Sequence, residues 1–224
     1  MRYSYLLFDL DGTLVYSHFG IFHCLKIALE SQGITSISEQ KLSECIGPPL
    51  RFSLTKIWGL TEEQALAAER VYRAKYDVCG WEKCALIEGA KESLEALKNA
   101  GYTLALATSK PLPFAKRILQ KFEIDKEFSV LMGSGFDGSF PDKKSVIEEC
   151  VKRLGADKNR CLMIGDRMHD VEGAKAAGVD CLALNVGYAQ EGVPLTSMSI
   201  RRYFAELSVL RAGKSLILKM SFCL

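Results

Sequence analysis

Tyr5-Leu6-Leu7-Phe8-Asp9-Leu10-Asp11-Gly12-Thr13-Leu14 is the stretch on which the reading of this chain turns. Its first four residues are apolar without alternation, the pattern of a strand buried on both faces of a parallel sheet. The run stops at two aspartates and a glycine. Four more runs of this kind follow, at residues 103–107, 128–132, 161–164 and 181–186. Helical patterns separate them over 90–100, 114–122, 146–154 and 174–177, with Gly101 and Gly178 as stop signals. Strand alternating with helix predicts an α/β fold, a doubly wound, mostly parallel sheet with a Rossmann-like core.

One interval breaks that rhythm. About seventy residues between the first strand and Ala90 carry only helical patterns. Ile21, Leu25, Ala28 and Leu29 form one apolar stripe, and Thr61 with Gln64 reads as a capping box opening a helix toward Tyr76. Ile46-Gly47-Pro48-Pro49-Leu50 reads as a stiff loop, and no strand-like run is expected in the interval. The expected organisation is a core of residues 1–14 and 85–224, with a small all-helical domain of 15–84 inserted after the first strand.

Composition narrows the function classes. Of 224 residues, 48% are hydrophobic and 25% charged, which fits an ordinary globular protein rather than a disordered or fibrous one. Basic residues number 29 and acidic ones 27, so no overall basic field points to nucleic acid. Asp9 interrupts the first apolar stretch, so neither a membrane span nor a secretory leader is expected. The eight cysteines are dispersed without a CxxC pair, which predicts reduced, mostly buried thiols in a cytoplasmic protein rather than a zinc site or a disulfide framework.

In an open α/β sheet, ligands bind beyond the carboxyl ends of the strands. Asp9 and Asp11 follow the first strand; Thr108, Ser109 and Lys110 follow the second; Gly165-Asp166-Arg167-Met168-His169-Asp170 follows the fourth. Lys143 opens the helix after the third strand and its longer loop. Singly, each has an ordinary reading as a turn, a cap or a solvated charge. Together they place carboxylates on one edge, where mutual repulsion calls for a cation. Gly133-Ser134-Gly135-Phe136-Asp137-Gly138 matches GxGxxG, but Phe140-Pro141-Asp142 postpones the helix that a dinucleotide site needs at once, so it reads as a turn-rich loop.

Phe8-Asp9-Leu10-Asp11-Gly12-Thr13-Leu14 resembles the first motif of the haloacid dehalogenase superfamily. Ala107-Thr108-Ser109-Lys110-Pro111 resembles the second, Lys143 stands where the third-motif lysine falls, and residues 163–170 resemble the acidic fourth. The helical insert is similar to the family's cap, and the chain over about residues 3–190 is most similar to the phosphoglycolate phosphatase-like and 5′-nucleotidase-like branch. The resemblance implies a phosphatase with Asp9 as nucleophile and Asp11 as general acid and then base. It implies Mg²⁺ on Asp9, the Asp11 carbonyl and Asp166, with Asp170 supporting the metal's waters from further out. Thr108 and the backbone at Leu10 and Ser109 are implied as phosphate binders, and Lys143, rather than its neighbour Lys144, as the neutralising cation. The implied substrate is a small soluble phosphate ester, handled by a monomer or weak homodimer, with the cap gating access.

Other functions remain open on the same residues. A hexose phosphomutase shares both aspartates, and Arg51 and Lys56 near the Gly-Pro-Pro loop are its candidate phosphate binders. A metabolite-binding regulator or a receiver-type signalling domain is a non-enzyme alternative, disfavoured by the second aspartate and the insert. The net charge of +2 is uneven: residues 201–224 carry +4 and the rest −2. That tail is also where the resemblance ends.

Overall fold

The computed structural model describes residues 2–184 and 187–188. In chain order its elements are β1 (Tyr5–Phe8), β2 (Val15–Tyr16), α1 (His18–Glu30), α2 (Glu39–Glu44), α3 (Leu50–Phe52), α4 (Glu62–Lys75), β3 (Ala85–Leu86), α5 (Ala90–Asn99), β4 (Thr103–Pro111), α6 (Leu112–Lys121), β5 (Val130–Ser134), α7 (Lys143–Leu154), β6 (Cys161–Gly165), α8 (Met168–Ala177) and β7 (Asp180–Ala183). Contacts divide the chain into two compact units, 1–15 with 86–224 and 16–85.

The larger unit is built on a five-stranded sheet of order β5-β4-β1-β6-β7 with every neighbouring pair parallel. Burial explains the unbroken apolar runs, because helices cover both faces. Leu7, Ala105, Ala107, Met132 and Met163 share one face with Val146, Ile147 and Cys150 of α7 and Val171 and Ala174 of α8. Their strand neighbours Leu6, Phe8, Leu104, Leu106 and Ile164 point to the other face by the alternation of a strand and are equally buried. Phe8 meets Phe128 edge to face, with ring centroids 6.3 Å apart, and α5 and α6 pack against β4.

Register places the site. Phe8, the last residue of β1, pairs with Leu106 on one side and Ile164 on the other, so Asp9 stands one step beyond the end of β1 with β4 and β6 flanking it. The chain fills the sheet on one side of β1 with β4 and β5 and then crosses to the other side with β6 and β7, which makes the carboxyl end of β1 a topological switch point.

Several boundaries differ from the sequence expectation. The second strand runs to Pro111 rather than stopping at residue 107, because Thr108, Ser109 and Lys110 remain extended through a bulge. The third is shifted to Val130–Ser134. The last helix starts at Met168 instead of Ala174; its polar first turn is turned inward, which hides it from an apolar-periodicity reading. β7 spans Asp180–Ala183, while residues 185–186 and the tail 201–224 lie outside the described residues.

The smaller unit is helical except at its two chain crossings, where β2 and β3 pair as a two-stranded ribbon. That ribbon corrects the expectation of no strands between residues 15 and 84; two-residue strands are too short to show alternation. Thr61 and Gln64 form both bonds of the capping box at α4. Leu25, Leu29, Leu42, Ile46, Leu54 and Tyr76 are fully buried. No described helix is long and apolar enough to cross a membrane. No described cysteine forms a disulfide, and burial pushes the Cys150 thiol up to about 12 and the Cys161 thiol to about 11.

One ionic contact ties the insert together. Glu69 on α4 accepts from Arg51 (3.0 and 2.8 Å) and from Arg73 (2.9 and 2.6 Å). Burial raises its proton affinity, but the two guanidiniums outweigh that and hold the carboxyl below its ordinary range. A depressed carboxyl stabilises the fold above its unfolded value of about 4.3 and loses that contribution as pH falls through the folded value. Both tryptophans, Trp58 and Trp81, belong to this unit, so their emission reports it selectively. Glu69→Gln should therefore weaken the insert by about 1–2 kcal/mol at pH 7 in urea titrations followed by tryptophan emission. The difference should shrink as the pH is lowered below about 4.

Candidate active site

Asp9 is the first residue after β1, and its amide still continues the ladder, donating to the Ile164 carbonyl at 2.9 Å. The chain must then turn sharply away from the sheet. Gly12, with φ of +89°, makes that turn, and a Cβ there would collide with the Asp166 carboxylate. The Leu10 carbonyl accepts from the amides of Leu14 and Val15 at 2.9 and 3.0 Å, so residues 10–15 form a closed turn on the buried Leu10 side chain.

Lys143 reaches the same point from the first position of α7. The Asp142 side chain accepts from the Ser145 amide at 2.8 Å and fixes where this helix begins. A lysine opposes the helix dipole in a first turn, so this placement is not explained by helix stability. Its ammonium donates to Asp9 Oδ1 at 2.7 Å and to the Ala107 carbonyl at 3.0 Å, and lies 2.8 Å from Asp170 Oδ1. Lys143 is only 6% exposed. Burial alone would strip its charge, but Asp170 and Asp9 outweigh that and raise its proton affinity above the ordinary lysine range. Gly173 on α8 makes room for it, because a Cβ there would lie 2.6 Å from the Lys143 side chain. Lys144, one residue and about 100° around the helix, is exposed.

Asp166 and Asp170 complete the cluster. Thr13 Oγ1 donates to Asp166 Oδ1 at 3.0 Å and the Tyr188 amide donates to Oδ2 at 2.8 Å. Asp170 Oδ2 accepts from the Arg167 amide at 3.1 Å, and Arg167 in turn donates to the Tyr188 carbonyl at 2.6 Å. Burial first, and then Asp170 and Asp9, push the Asp166 carboxyl well up. Burial raises Asp170 as well, against the pull of Lys143.

Carboxylate oxygens of Asp9, Asp166 and Asp170 lie within 4.8 Å of one another. One ammonium bonds two of them, while Asp166 is met by the Thr13 hydroxyl and the Tyr188 amide, with the Arg167 guanidinium acting on it electrostatically. An all-oxygen donor set with surplus negative charge fits a hard divalent cation, Mg²⁺ in particular.

The other expected residues are placed less tightly. Asp11 does not join the carboxylate cluster; both its oxygens face Lys110, at 3.1 and 2.9 Å from the ammonium. Thr108 is buried beside the site, and its hydroxyl accepts from the Lys110 amide at 3.2 Å. Ser109 is half-buried, its carbonyl accepting from Ser134 Oγ at 2.9 Å. Thr13, Arg167 and the Tyr188 backbone were not singled out from sequence. Of these, Thr13 had a signal, its place within the first motif, whereas Tyr188 contributes main chain and left none.

Two aspartates beyond one strand, a lysine on a helix and acidic residues beyond another strand thus converge on one edge. The profile of the haloacid dehalogenase-like hydrolases matches residues 6–184, which include all of these positions except Tyr188. The chain belongs to the haloacid dehalogenase-like hydrolases. Within that family it is 38% identical over 211 residues to a 5′-nucleotidase of Pseudomonas aeruginosa, covering 94% of this chain and 95% of that one. It is 37% identical over 209 residues to the tyrosine-protein kinase PtkA of Mycobacterium bovis, covering 92% and 70%. A crystal structure of a predicted phosphatase from Clostridium acetobutylicum superimposes with a TM-score of 0.87 at 31% identity, covering 92% of this chain and 99% of that one.

In this haloacid dehalogenase-like hydrolase the buried ammonium bridges two buried carboxylates, which gives it a structural role. Lys143→Met removes the charge and leaves the Asp9 and Asp170 carboxylates facing each other in a buried site. Stability of the larger unit should drop by about 3–5 kcal/mol in urea unfolding followed by circular dichroism. The neighbouring Lys144→Met should change it by less than about 0.5 kcal/mol.

Proposed function

We propose that the chain hydrolyses a small soluble phosphate monoester, of the phosphoglycolate or nucleoside monophosphate class, through an aspartyl phosphate on Asp9. The observation that carries this reading is that the two aspartates following β1 face different ammoniums, Asp9 that of Lys143 and Asp11 that of Lys110. Two carboxylates two residues apart are thereby given separate surroundings and separate tasks.

Phosphoryl transfer needs little covalent chemistry from the protein beyond a nucleophile, a proton carrier and positive charge around the equatorial oxygens. Asp9 attacks phosphorus, forming an oxygen–phosphorus bond as the ester oxygen departs with the proton carried by the Asp11 carboxyl. Water then attacks the acyl phosphate and gives its proton to the Asp11 carboxylate. The bond from phosphorus to Asp9 breaks, inorganic phosphate leaves and the carboxylate is restored. Splitting hydrolysis in this way replaces one difficult displacement with two easier ones.

Lys143 holds Asp9 in place and lowers the repulsion between its carboxylate and the approaching dianion. Asp170 spends one oxygen on Lys143 and the other on the Arg167 amide, so it orients that lysine. Thr108, with the amides at Leu10 and Ser109, contacts the phosphate oxygens. Asp9, the Asp11 carbonyl and Asp166 would hold Mg²⁺, which would supply the remaining positive charge that lets two anions meet. A dinucleotide or kinase-type role for the glycine-rich stretch is disfavoured, because Ser139–Asp142 separates it from the N-terminus of α7. Location in the cytoplasm and action as a monomer or weak homodimer accompany this reading.

The test is phosphate release over a panel of glycolate, nucleoside and sugar phosphates, with Mg²⁺ and with chelator. At least one ester should turn over, and activity should vanish on chelation. Asp9→Asn should lower turnover by about 10³-fold or more. Asp9→Asn protein that still released phosphate at the wild-type rate would remove the nucleophile from the reading, and isomerisation of a sugar phosphate without phosphate release would make it a mutase.

A further inference from the structure

Lys110 is the buried charge that neither Asp9 nor Lys143 explains. It lies in β4 and is 8% exposed, with its ammonium 3.1 and 2.9 Å from the two oxygens of Asp11. A solvated lysine would leave its charged end in water; this one turns it onto the Asp11 carboxylate.

The backbone around Lys110 is shaped for the purpose. β4 pairs with β5 at Ala107↔Met132 and next at Pro111↔Ser134, so β4 advances four residues while β5 advances two. Such a bulge re-aims the side chains it contains. Three contacts hold it: the Lys110 amide donates to Thr108 Oγ1, Ser134 Oγ donates to the Ser109 carbonyl, and Gly133 lies against the Lys110 carbonyl. A Cβ on Gly133 would lie 2.5 Å from that carbonyl oxygen and 3.1 Å from the Leu112 backbone. The first glycine of the GxGxxG stretch therefore serves close packing against this bulge.

An ammonium facing both oxygens fixes the rotation of a carboxylate as well as its position. We propose that Lys110 is a positioning residue for Asp11, holding its carboxylate in the orientation from which it takes the proton of the attacking water, so that Lys110 governs hydrolysis of the aspartyl phosphate. The inference rests on the proposed function and deepens it: formation of the acyl phosphate with a good leaving group requires no proton from Asp11, whereas its hydrolysis requires a placed base.

The experiment uses the full chain with p-nitrophenyl phosphate and Mg²⁺, comparing wild type, Lys110→Met and Lys110→Arg by rapid mixing. Phosphoenzyme decay is followed after a chase, and folding is checked by circular dichroism. For Lys110→Met we expect a burst of nitrophenol followed by phosphoenzyme decay about 10- to 100-fold slower than wild type. Slowing the second step alone lowers kcat and KM together and leaves kcat/KM within about threefold. Lys110→Arg, which keeps the charge, should recover part of the decay rate. A merely structural role would reduce the amount of active protein, scaling burst and steady-state rate together without changing decay. Decay at the wild-type rate in Lys110→Met, or no recovery in Lys110→Arg, overturns the proposal. A wild-type protein that releases phosphate with no hydroxylamine-sensitive adduct overturns the proposed function, and this inference with it, before any variant is compared.

Discussion

The ammonium of Lys143 between Asp9 and Asp170 is the contact around which the larger unit is arranged. Burying three carboxylates on one sheet edge is unfavourable unless something positive is buried with them. A parallel sheet offers that edge because all its strands end there and its following helices begin there, so helix N-termini and carboxylates face one another. Lys143 opens α7, and Asp170 lies in the first turn of α8. Gly173 is what lets those two helices close around the lysine stem. Removing any one of these parts exposes the others to repulsion or leaves an ion without a partner.

The unbroken apolar runs were legible as strands because burial on both faces removes any need for polar alternation, as in Leu6, Leu7 and Phe8. The first and fourth motifs were legible because aspartates after two different strands fall together on one sheet edge, a joint placement that turns and caps do not explain. The start of α8 was not, since Asp166 and Asp170 are buried for charge rather than for hydrophobicity, and a pattern of apolar spacing is blind to that. Adjacent lysines could be ordered only by family resemblance; their separation is a matter of helical rotation about an axis fixed by the Asp142 cap. The partnership of Lys110 with Asp11 spans 99 positions and depends on a bulge. No local pattern of residues encodes a bulge of that kind, and its one sequence trace, Gly133, was hidden in a motif with another usual meaning.

The two aspartates of the first motif show how one short turn separates chemistry. They are two residues apart on the chain, and in an uninterrupted strand both side chains would point to the same face. They would then compete for the same cation and repel each other at close range. The strand ends at Phe8 and the chain bends at Leu10, between the two aspartates; Gly12 then carries the turn onward where a Cβ would collide with the Asp166 carboxylate. Asp9 stays with the buried cluster at Lys143, while Asp11 is delivered to the separate ammonium of Lys110.

Separation of this kind has a functional consequence under the proposed chemistry. A nucleophile must remain ionised and fixed while a dianion approaches, which a fully buried ammonium and a cluster fit for a divalent cation both favour. A proton carrier must instead change its charge twice in each cycle. It therefore cannot sit among three carboxylates and a metal, where each change would disturb every neighbour. Pairing it with one lysine, on a bulge outside the cluster, keeps that change local. The position of Lys110 on β4 rather than on α7 is the structural expression of this requirement, since β4 is the strand next to β1 on the side away from Asp166 and β6.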